Sequence, residues 1–272
     1  MVERIRELLK NENIPLCVFY PLEKCIITKG YLLERAGIDS GFAVIFAIPY
    51  YTRACEERRN ISAYAVSRDY HRYIKELEER ILRQLRDEYP GVPFAMFADH
   101  SPIDERDAAV RGGLGIYGKN RLIITKEYSS YVFIGELIVG APLPEDAYTD
   151  KEPEHCEDCG ACQRLCPWLC GESDECLSAM TQKKGELTDK EKELIKKYGA
   201  WGCDICTEVC PHTKKAKKAQ SIYSPIEFFN KNATPYLTYE EIEAMSDEEF
   251  SQRAYSWRGR ETILRNLRSE KS

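Results

Sequence analysis

The chain has 272 residues, 43% hydrophobic and 31% charged, with a formal net charge of -6. That is enough to bury a core without disulfide staples, and it excludes the disordered and collagen-like classes. The longest uninterrupted apolar run, Gly41 to Tyr51, is 11 residues, well short of the roughly 20 a membrane-spanning helix needs. The first ten residues mix both charge signs at helical spacing and make no signal peptide. A cytoplasmic protein with no membrane partner is expected. The negative balance argues against a chain wholly devoted to nucleic acid but leaves room for a local basic patch.

In chain order, the pattern predicts a helix over Val2 to Lys10 and a β-rich run over Phe42 to Ile48, stopped by Pro49. A long amphipathic helix follows, because Tyr70, Ile74, Leu77, Ile81 and Leu85 recur at spacings of three and four with charges between them. Pro90, Gly91 and Pro93 break it. Phe94 to Ala98, Leu122 to Thr125 and Tyr131 to Val139 read as strands by length and β-branched or aromatic content. From Ala141 to Glu154, prolines and acidic residues fit neither period and read as a linker, which puts a domain boundary near residue 148. Beyond it, helix starts are signed by capping boxes at Thr188 with Glu191, Thr238 with Glu241 and Ser246 with Glu249. A mixed α and β fold is expected, with a sheet and flanking helices in the first half and a cysteine-rich, mostly helical second half.

Twelve cysteines are present, nine of them between Cys156 and Cys210. A reducing cytosol does not keep such a cluster as disulfides, so metal or redox chemistry is expected. Cys156, Cys159, Cys162 and Cys166, the last followed by Pro167, have the bacterial ferredoxin spacing. In that spacing three thiolates hold one 4Fe-4S cluster and the fourth reaches a second. The later run, Cys203, Cys206 and Cys210 before Pro211, supplies three more. Two clusters need an eighth ligand, and spacing leaves Cys170 and Cys176 both open. A pair of zinc sites is the alternative, but zinc modules present separated pairs rather than a tight triple run closing on Cys-Pro. Cys17, Cys25 and Cys55 read as buried or incidental thiols. Two clusters in one small domain make an electron wire, whose terminus falls in the first domain.

That domain contains two false leads. Gly113, Gly115 and Gly118 match the dinucleotide fingerprint, and Gly113 to Lys119 nearly matches a P-loop, with Asn120 where Ser or Thr should stand. The fingerprint belongs between a strand and a helix, whereas here the helix-like Asp104 to Arg111 precedes it and a β-like run follows. Such a turn lets the backbone approach a flat cofactor or cross a neighbouring strand, or is simply tight. Asp69, His71 and Ile74 fall short of the Asp-x-His-x-x-Gly signature of a cobalamin lower ligand, since Ile74 replaces the glycine. The four histidines form no i, i+4 metal pair.

Five blocks in this order resemble the epoxyqueuosine reductase family: Ser62 to His71; Asp99-His-Ser-Pro102 to Arg106; Gly113 to Asn120; the two cysteine runs; and Trp201-Gly-Cys203-Asp204-Ile-Cys206. The closing Asp247 to Phe250 and Leu264 to Leu267 are also similar. The resemblance implies a base-off cobalamin enzyme, related to the reductive dehalogenases, that uses two 4Fe-4S clusters to reduce epoxyqueuosine to queuosine in a tRNA anticodon. It implies an α+β fold. Residues 1–148 would be a sandwich-like cobalamin-binding domain, 149–222 a ferredoxin-like double-cluster domain, and 223–272 a helical tail. It places the general acid at Asp99, and the corrin against Tyr64, Asp104, Gly115, Gly118, Lys119, Asn120, Ile123 and Ile134. It selects Cys176 as eighth ligand, giving Cys156, Cys159, Cys162 and Cys210 for one cluster and Cys166, Cys176, Cys203 and Cys206 for the other.

Longer relatives continue into HEAT-like repeats that help hold tRNA, and this sequence stops at Ser272. Candidates for tRNA contact are Lys214, Lys215, Lys217 and Lys218, with Arg258, Arg260, Arg265 and Arg268. A monomer served by an external low-potential electron donor is expected. Two further readings are a cobalamin-dependent reductase of a small molecule and a non-enzymatic electron carrier. For Asp99 the residue-level alternative is an Asx-type turn, and Asp104 and Tyr64 are the next acids.

Overall fold

The computed structural model describes residues 1–167 and 176–271, the last three of them as backbone alone. It divides into two compact units. Unit 1 comprises Met1–Pro49, Tyr73–Lys126 and Val132–Glu157, and unit 2 comprises Tyr50–Arg72, Glu127–Tyr131 and Asp158–Ser272. No helix among the described residues is long and apolar enough to cross a membrane.

The strands of unit 1 are β1 (Cys17–Pro21), β2 (Phe42–Pro49), β3 (Phe94–Phe97), β4 (Ile116–Tyr117), β5 (Ile123–Ile124) and β6 (Val132–Val139). Four of them form an antiparallel sheet in the order β1-β2-β6-β3, and β4 pairs with β5 as a separate hairpin. β2 is buried along its whole length. That explains why Phe42 to Ile48 shows no polar alternation: both faces of the strand are covered. Ala43, Ile45 and Ala47 share one core with Ile138, Ile103 and the helix Glu105–Arg111. Period two sends Phe42, Val44 and Phe46 to the opposite face. There Phe42 meets Phe19 at 6.0 Å between ring centroids, and Arg6 of the helix Val2–Asn11 lies over the Phe19 ring. That helix is joined to the long helix Tyr70–Glu88 by Arg4 with Glu88 (2.7 Å) and by Glu12 with Arg80 (2.8 Å). Leu77, Ile81 and Leu85 are buried as the periodicity predicts.

Unit 2 is mostly helical. Its core gathers Tyr51, Ile61, Val66, Tyr131, Trp201, Ile222, Leu237, Tyr255 and Ile263. Trp201 and Tyr255, both buried, meet edge to face at 6.2 Å. Helices start at all three expected caps. Thr188 and Thr238 form reciprocal boxes with Glu191 and Glu241, while Ser246 accepts from the Glu249 N–H.

The compact units differ from the linear division drawn on composition. The stretch expected to be a linker packs within unit 1: Asp150 accepts from Tyr20 Oη and Lys24 Nζ, both at 2.7 Å, Thr149 donates to the Gly112 carbonyl, and the Lys151 N–H donates to that of Arg111. The chain passes between units at Glu157, and Tyr50–Arg72 and Glu127–Tyr131 belong with the second half. These contacts are long-range, and composition does not report them. The strand starting at Tyr131 begins instead at Val132, because Tyr131 is a core residue of unit 2.

Candidate active site and cluster-binding cysteines

In unit 1 the glycine-rich segment is the hairpin β4–β5. The Gly118 N–H donates to the Leu122 carbonyl at 2.8 Å, Arg121 turns the chain with φ 65°, and Asn120 Oδ1 accepts from the Leu122 N–H. A Cβ on Gly115 would stand 2.6 Å from the Ile124 carbonyl oxygen, and one on Gly118 would stand 2.2 Å from Asn120 Oδ1. Strand crossing and the tight turn therefore account for both glycines, one of the readings left open by the sequence. Ile123 is buried in the core of unit 1 and Ile134 packs against that core, while Lys119 is exposed.

The hairpin also holds Cys156, which opens the ferredoxin-type run, alongside its first strand. Tyr117 bridges to His155 as a parallel pair, its N–H donates to the Glu154 carbonyl at 2.8 Å, and its own carbonyl accepts from the Cys156 N–H at 2.9 Å. The Lys119 N–H donates to Cys156 Sγ at 3.4 Å. Backbone N–H donors aimed at sulfur are the environment that stabilises a cluster thiolate and tunes its potential. Two motifs that looked independent in the sequence are thus one local structure.

β3 ends at Phe97, one residue before the expected Ala98, so Asp99 lies two residues past the strand rather than directly after it. It is exposed and adopts a left-handed conformation, φ 58°. The loop after it returns to the core. Ser101 is buried, and its hydroxyl lies 2.7 Å from Glu136 Oε2. Asp104 is the N-cap of the helix Glu105–Arg111 and accepts from the N–H groups of Arg106 and Asp107 at 3.1 and 3.2 Å. Ile26, Ile27 and Tyr31 leave large apolar surface exposed beside this loop, where Tyr31 Oη bonds His100 Nε2 at 2.8 Å and the Asp104 N–H donates to the Ile26 carbonyl. Exposed apolar side chains around an acid are what the face of a corrin would cover, so the residues present fit such a group.

Glu136 and Glu105 were not singled out from the sequence. Glu136 is fully buried on β6, opposite Ile45 and Phe97. Burial pushes its carboxyl far above the usual range, and Glu105 beside it adds to the effect; burial raises Glu105 too. A charged residue within an otherwise apolar strand was the available signal.

In unit 2 the short helices Ala161–Arg164 and Ile205–Glu208, which carry Cys162 and Cys206, pack against each other. Cys176 caps the helix Leu177–Thr181. Burial first, then neighbouring charge that includes Asp204, Cys176 and Cys166, pushes the Cys203 thiol up to about 12. Cys166, Cys176 and Cys203 therefore share one electrostatic neighbourhood. No group of three His, Cys, Asp or Glu side chains among the described residues could hold a single metal ion; a four-iron cluster keeps its thiolates farther apart than a lone ion does. Cys170 lies outside the described residues.

Tyr64 also belongs to unit 2, where its partly buried phenol is raised above its usual range by desolvation and lies in the field of Asp204 and Cys176. Its segment is bound to the later cysteine run. Ile61 bridges to Trp201, Ser62 Oγ donates to Asp204 Oδ1 at 2.5 Å, and the Ala63 N–H and Arg59 each donate to Asp204 Oδ2 at 2.6 Å. Arg59 and Asp204 were missed, although Asp204 stands inside a quoted motif. Over this network opens a cleft of about 430 Å³ with Cys203, Tyr198 and Lys217 in its wall. Asn266, fully buried, donates to the carbonyls of Thr181 and Ala200 at 2.7 Å, which joins the closing helix to the loops that carry Cys176 and Cys203. Arg260, Arg265 and Arg268 all bond within the unit, to the Ile242 carbonyl, the Lys183 carbonyl and Tyr239. Lys214, Lys215 and Lys218 are exposed.

The family model described as epoxyqueuosine reductase QueG, DUF1730, matches residues 41–100. The epoxyqueuosine reductase of Pseudomonas aeruginosa is 32% identical over 241 residues, covering 84% of this chain and 63% of that protein. That of Cyclobacterium marinum is 31% identical over 228 residues, covering 80% and 72%. The chain thus spans less than two thirds of the Pseudomonas protein's length. Three solved structures show the same fold. That of the Streptococcus thermophilus epoxyqueuosine reductase has a TM-score of 0.74 at 22% identity, over 98% of this chain and 80% of that one. An epoxyqueuosine reductase with an epoxyqueuosine-modified tRNA-Tyr stem loop has 0.72 at 24%, over 99% and 81%. The Bacillus subtilis enzyme with its catalytic aspartate loop swung out of the active site has 0.70 at 23%, over 99% and 82%. Sequence identity over most of both chains, together with this fold, places the chain in the epoxyqueuosine reductase family.

Proposed function

We propose that the chain reduces epoxyqueuosine to queuosine in tRNA, using cobalamin and two 4Fe-4S clusters. The observation that carries this is the Lys119 N–H bond to Cys156 Sγ. It fixes the first cluster ligand on the hairpin that borders the proposed cofactor face, as an electron path to that face requires. Cobalamin, when bound, supplies a low-potential cobalt centre able to engage an epoxide, and the clusters supply its electrons.

The chain's own residues do the rest. Cys156, Cys159, Cys162 and Cys210 hold one cluster, and Cys166, Cys176, Cys203 and Cys206 the other. Gly115, Gly118, Lys119 and Asn120 shape the hairpin edge against the corrin, with Ile123 and Ile134 backing it and Asp104 fixing the adjoining helix. Asp99, on an exposed loop, donates the proton to the departing epoxide oxygen, and the loop moves, as the one swung out in the Bacillus structure does. The cleft at Cys203 receives an external low-potential donor. Lys214, Lys215 and Lys218 meet tRNA phosphates. The sandwich-like cofactor domain, the ferredoxin-like domain and the cytoplasmic location belong to the same reading.

Anaerobic reconstitution with iron, sulfide and cobalamin, followed by mass analysis of nucleosides from tRNA carrying epoxyqueuosine, tests it. Conversion to queuosine is expected. A reconstituted protein that binds cobalamin and leaves the nucleoside unchanged would point to a small-molecule substrate, and one that binds no cobalamin would point to an electron carrier.

A further inference from the structure

We propose that Tyr31 is a second hydrogen-bond donor of the active site, directed by Lys29 and His100 toward the epoxide oxygen that Asp99 protonates. The choice of acceptor rests on the proposed function; the direction of the chain of bonds does not.

Two distances set that direction. Lys29 Nζ lies 3.2 Å from His100 Nδ1, and His100 Nε2 lies 2.8 Å from Tyr31 Oη. A lysine ammonium carries hydrogens and no lone pair, so it can only donate. His100 Nδ1 is therefore the bare nitrogen of a neutral ring, the ring hydrogen sits on Nε2, and Nε2 donates to the tyrosine. The Tyr31 oxygen is used as an acceptor and its own hydrogen remains unspent, for the phenol bonds no other group among the described residues. Tyr31 opens the helix Tyr31–Ala36 and is 48% exposed, in line with the exposed Ile26 and Ile27. A ligand seated on that apolar face meets the one hydroxyl hydrogen presented there.

The same bonds hold Asp99. The His100 N–H donates to the Ala98 carbonyl at 2.6 Å, which closes a three-residue turn about Asp99 at its left-handed φ of 58°. The segment that carries Lys29 and Tyr31 is tied to this loop independently of His100. The N–H groups of Thr28 and Lys29 donate to the Pro102 carbonyl at 2.8 and 3.1 Å, Thr28 Oγ1 donates to the Ser101 carbonyl at 3.3 Å, and Ile27 bridges to Ile103. Leu32 and Leu33, next after Tyr31, are buried and anchor the helix. Acid and phenol are carried on one tethered piece.

A cation at the head of a hydrogen-bond chain polarises each link toward the far end. Among the described residues no carboxylate pairs with Lys29 to cancel its charge. Such a donor gains most on an oxygen whose negative charge grows as a bond breaks, and less on a neutral carbonyl. In the proposed reaction that atom is the departing oxygen. Its carbon–oxygen bond breaks with the electron pair left on oxygen, the oxygen takes the Asp99 proton, and Tyr31 supplies a hydrogen bond while keeping its own proton. Lys29 and His100 touch no substrate and are positioning residues.

Nitrogen-15 spectra of the histidine-labelled, cluster-loaded chain at about pH 8, where free imidazole is neutral, read the direction of the chain of bonds. His100→Gln identifies the signal among the four histidines. Hydrogen on Nε2 alone is expected, with both tautomers present in Lys29→Met. Hydrogen on Nδ1 in the wild type would overturn the direction, and a signal unmoved in Lys29→Met would remove Lys29 from the chain. Turnover of tRNA carrying epoxyqueuosine by the reconstituted enzyme reads the catalytic role. Tyr31→Phe should keep its melting temperature, cobalamin binding and KM, and lose roughly tenfold or more in kcat. A wild-type kcat, or a raised KM at unchanged kcat, would overturn it. No conversion by wild type would overturn the function and the acceptor with it, while the spectrum still decides the direction.

Discussion

Asp99 shows how much a residue's setting adds to its identity. A carboxylate at the end of an apolar strand reads as an acid sheltered in a pocket, yet the chain alone leaves it exposed and holds it in a left-handed turn. In the proposed reading, its shelter is the cofactor that covers the exposed Ile26, Ile27 and Tyr31. Asp99→Asn is therefore expected to keep its fold, iron content and cobalamin binding, and to lose turnover by about a hundredfold or more, the usual share of a general acid. Single-turnover nucleoside analysis with cobalamin bound checks this, and wild-type conversion would return the role to Asp104 or Tyr64. Asp204 is the opposite case, a residue with a structural task inside a motif read only for its cysteines. Its carboxylate takes Arg59, Ser62 and the Ala63 N–H at once. Asp204→Ala leaves Arg59 its bonds to Glu208 and to the carbonyls of Cys55 and Ile61 but strips the Ser62 hydroxyl and the Ala63 N–H of their acceptor, and should cost about 2 kcal/mol, measured by urea unfolding of the cluster-loaded protein; a loss below about 1 kcal/mol would reduce the network to an ordinary surface pair.

At the scale of elements, periodicity found what local sequence determines. The long helix has its apolar stripe where spacing puts it, and β2 reads as one continuous run because both its faces are buried. The hairpin was harder. Its glycines look like a nucleotide motif because close backbone approach to a ligand and close approach to another strand make the same demand, room where a Cβ would stand. Only the pairing of Ile116 with Ile124 separates the two. Gly115→Ala should thus disturb the hairpin rather than ligand binding alone, since the added carbon meets a backbone carbonyl and the Ile123 side chain. A loss of about 1–3 kcal/mol is expected, as for other overpacked sites. Because β4 and the turn after it carry the backbone partners of Cys156, part of the proposed cluster's signal should fall with the hairpin. Electron paramagnetic resonance of the reduced protein reads this, and two intact cluster signals with wild-type melting would show that the turn yields.

For the whole molecule, the sequence reading drew three consecutive domains with a boundary near residue 148, whereas the contacts gather into two units built from interleaved segments. The stretch from Ala141 has a linker's composition, and its bonds go to Tyr20, Lys24, Arg111 and Gly112, partners that no local pattern reveals. In the same way Ser62 to Tyr64 looked like part of the first domain and is bound to the later cysteine run in unit 2. The cysteine arithmetic depends on this long-range level, because ferredoxin spacing tells which cysteines serve a cluster and leaves the eighth ligand open between Cys170 and Cys176. Cys176 stands at the N-cap of a helix tied by Asn266 and Thr181 to the loop of Cys203, and its charge reaches the Cys203 thiol together with that of Cys166. That electrostatic coupling is in keeping with the proposal that Cys166, Cys176 and Cys203 serve one cluster. Cys176→Ser should then lose roughly half the iron and sulfide of the reconstituted protein, one cubane of two, while Cys170→Ser keeps all of it. Metal analysis of the two variants side by side decides it, since half the iron lost from Cys170→Ser and none from Cys176→Ser would reverse the assignment, and stoichiometric zinc without sulfide would end the cluster reading itself.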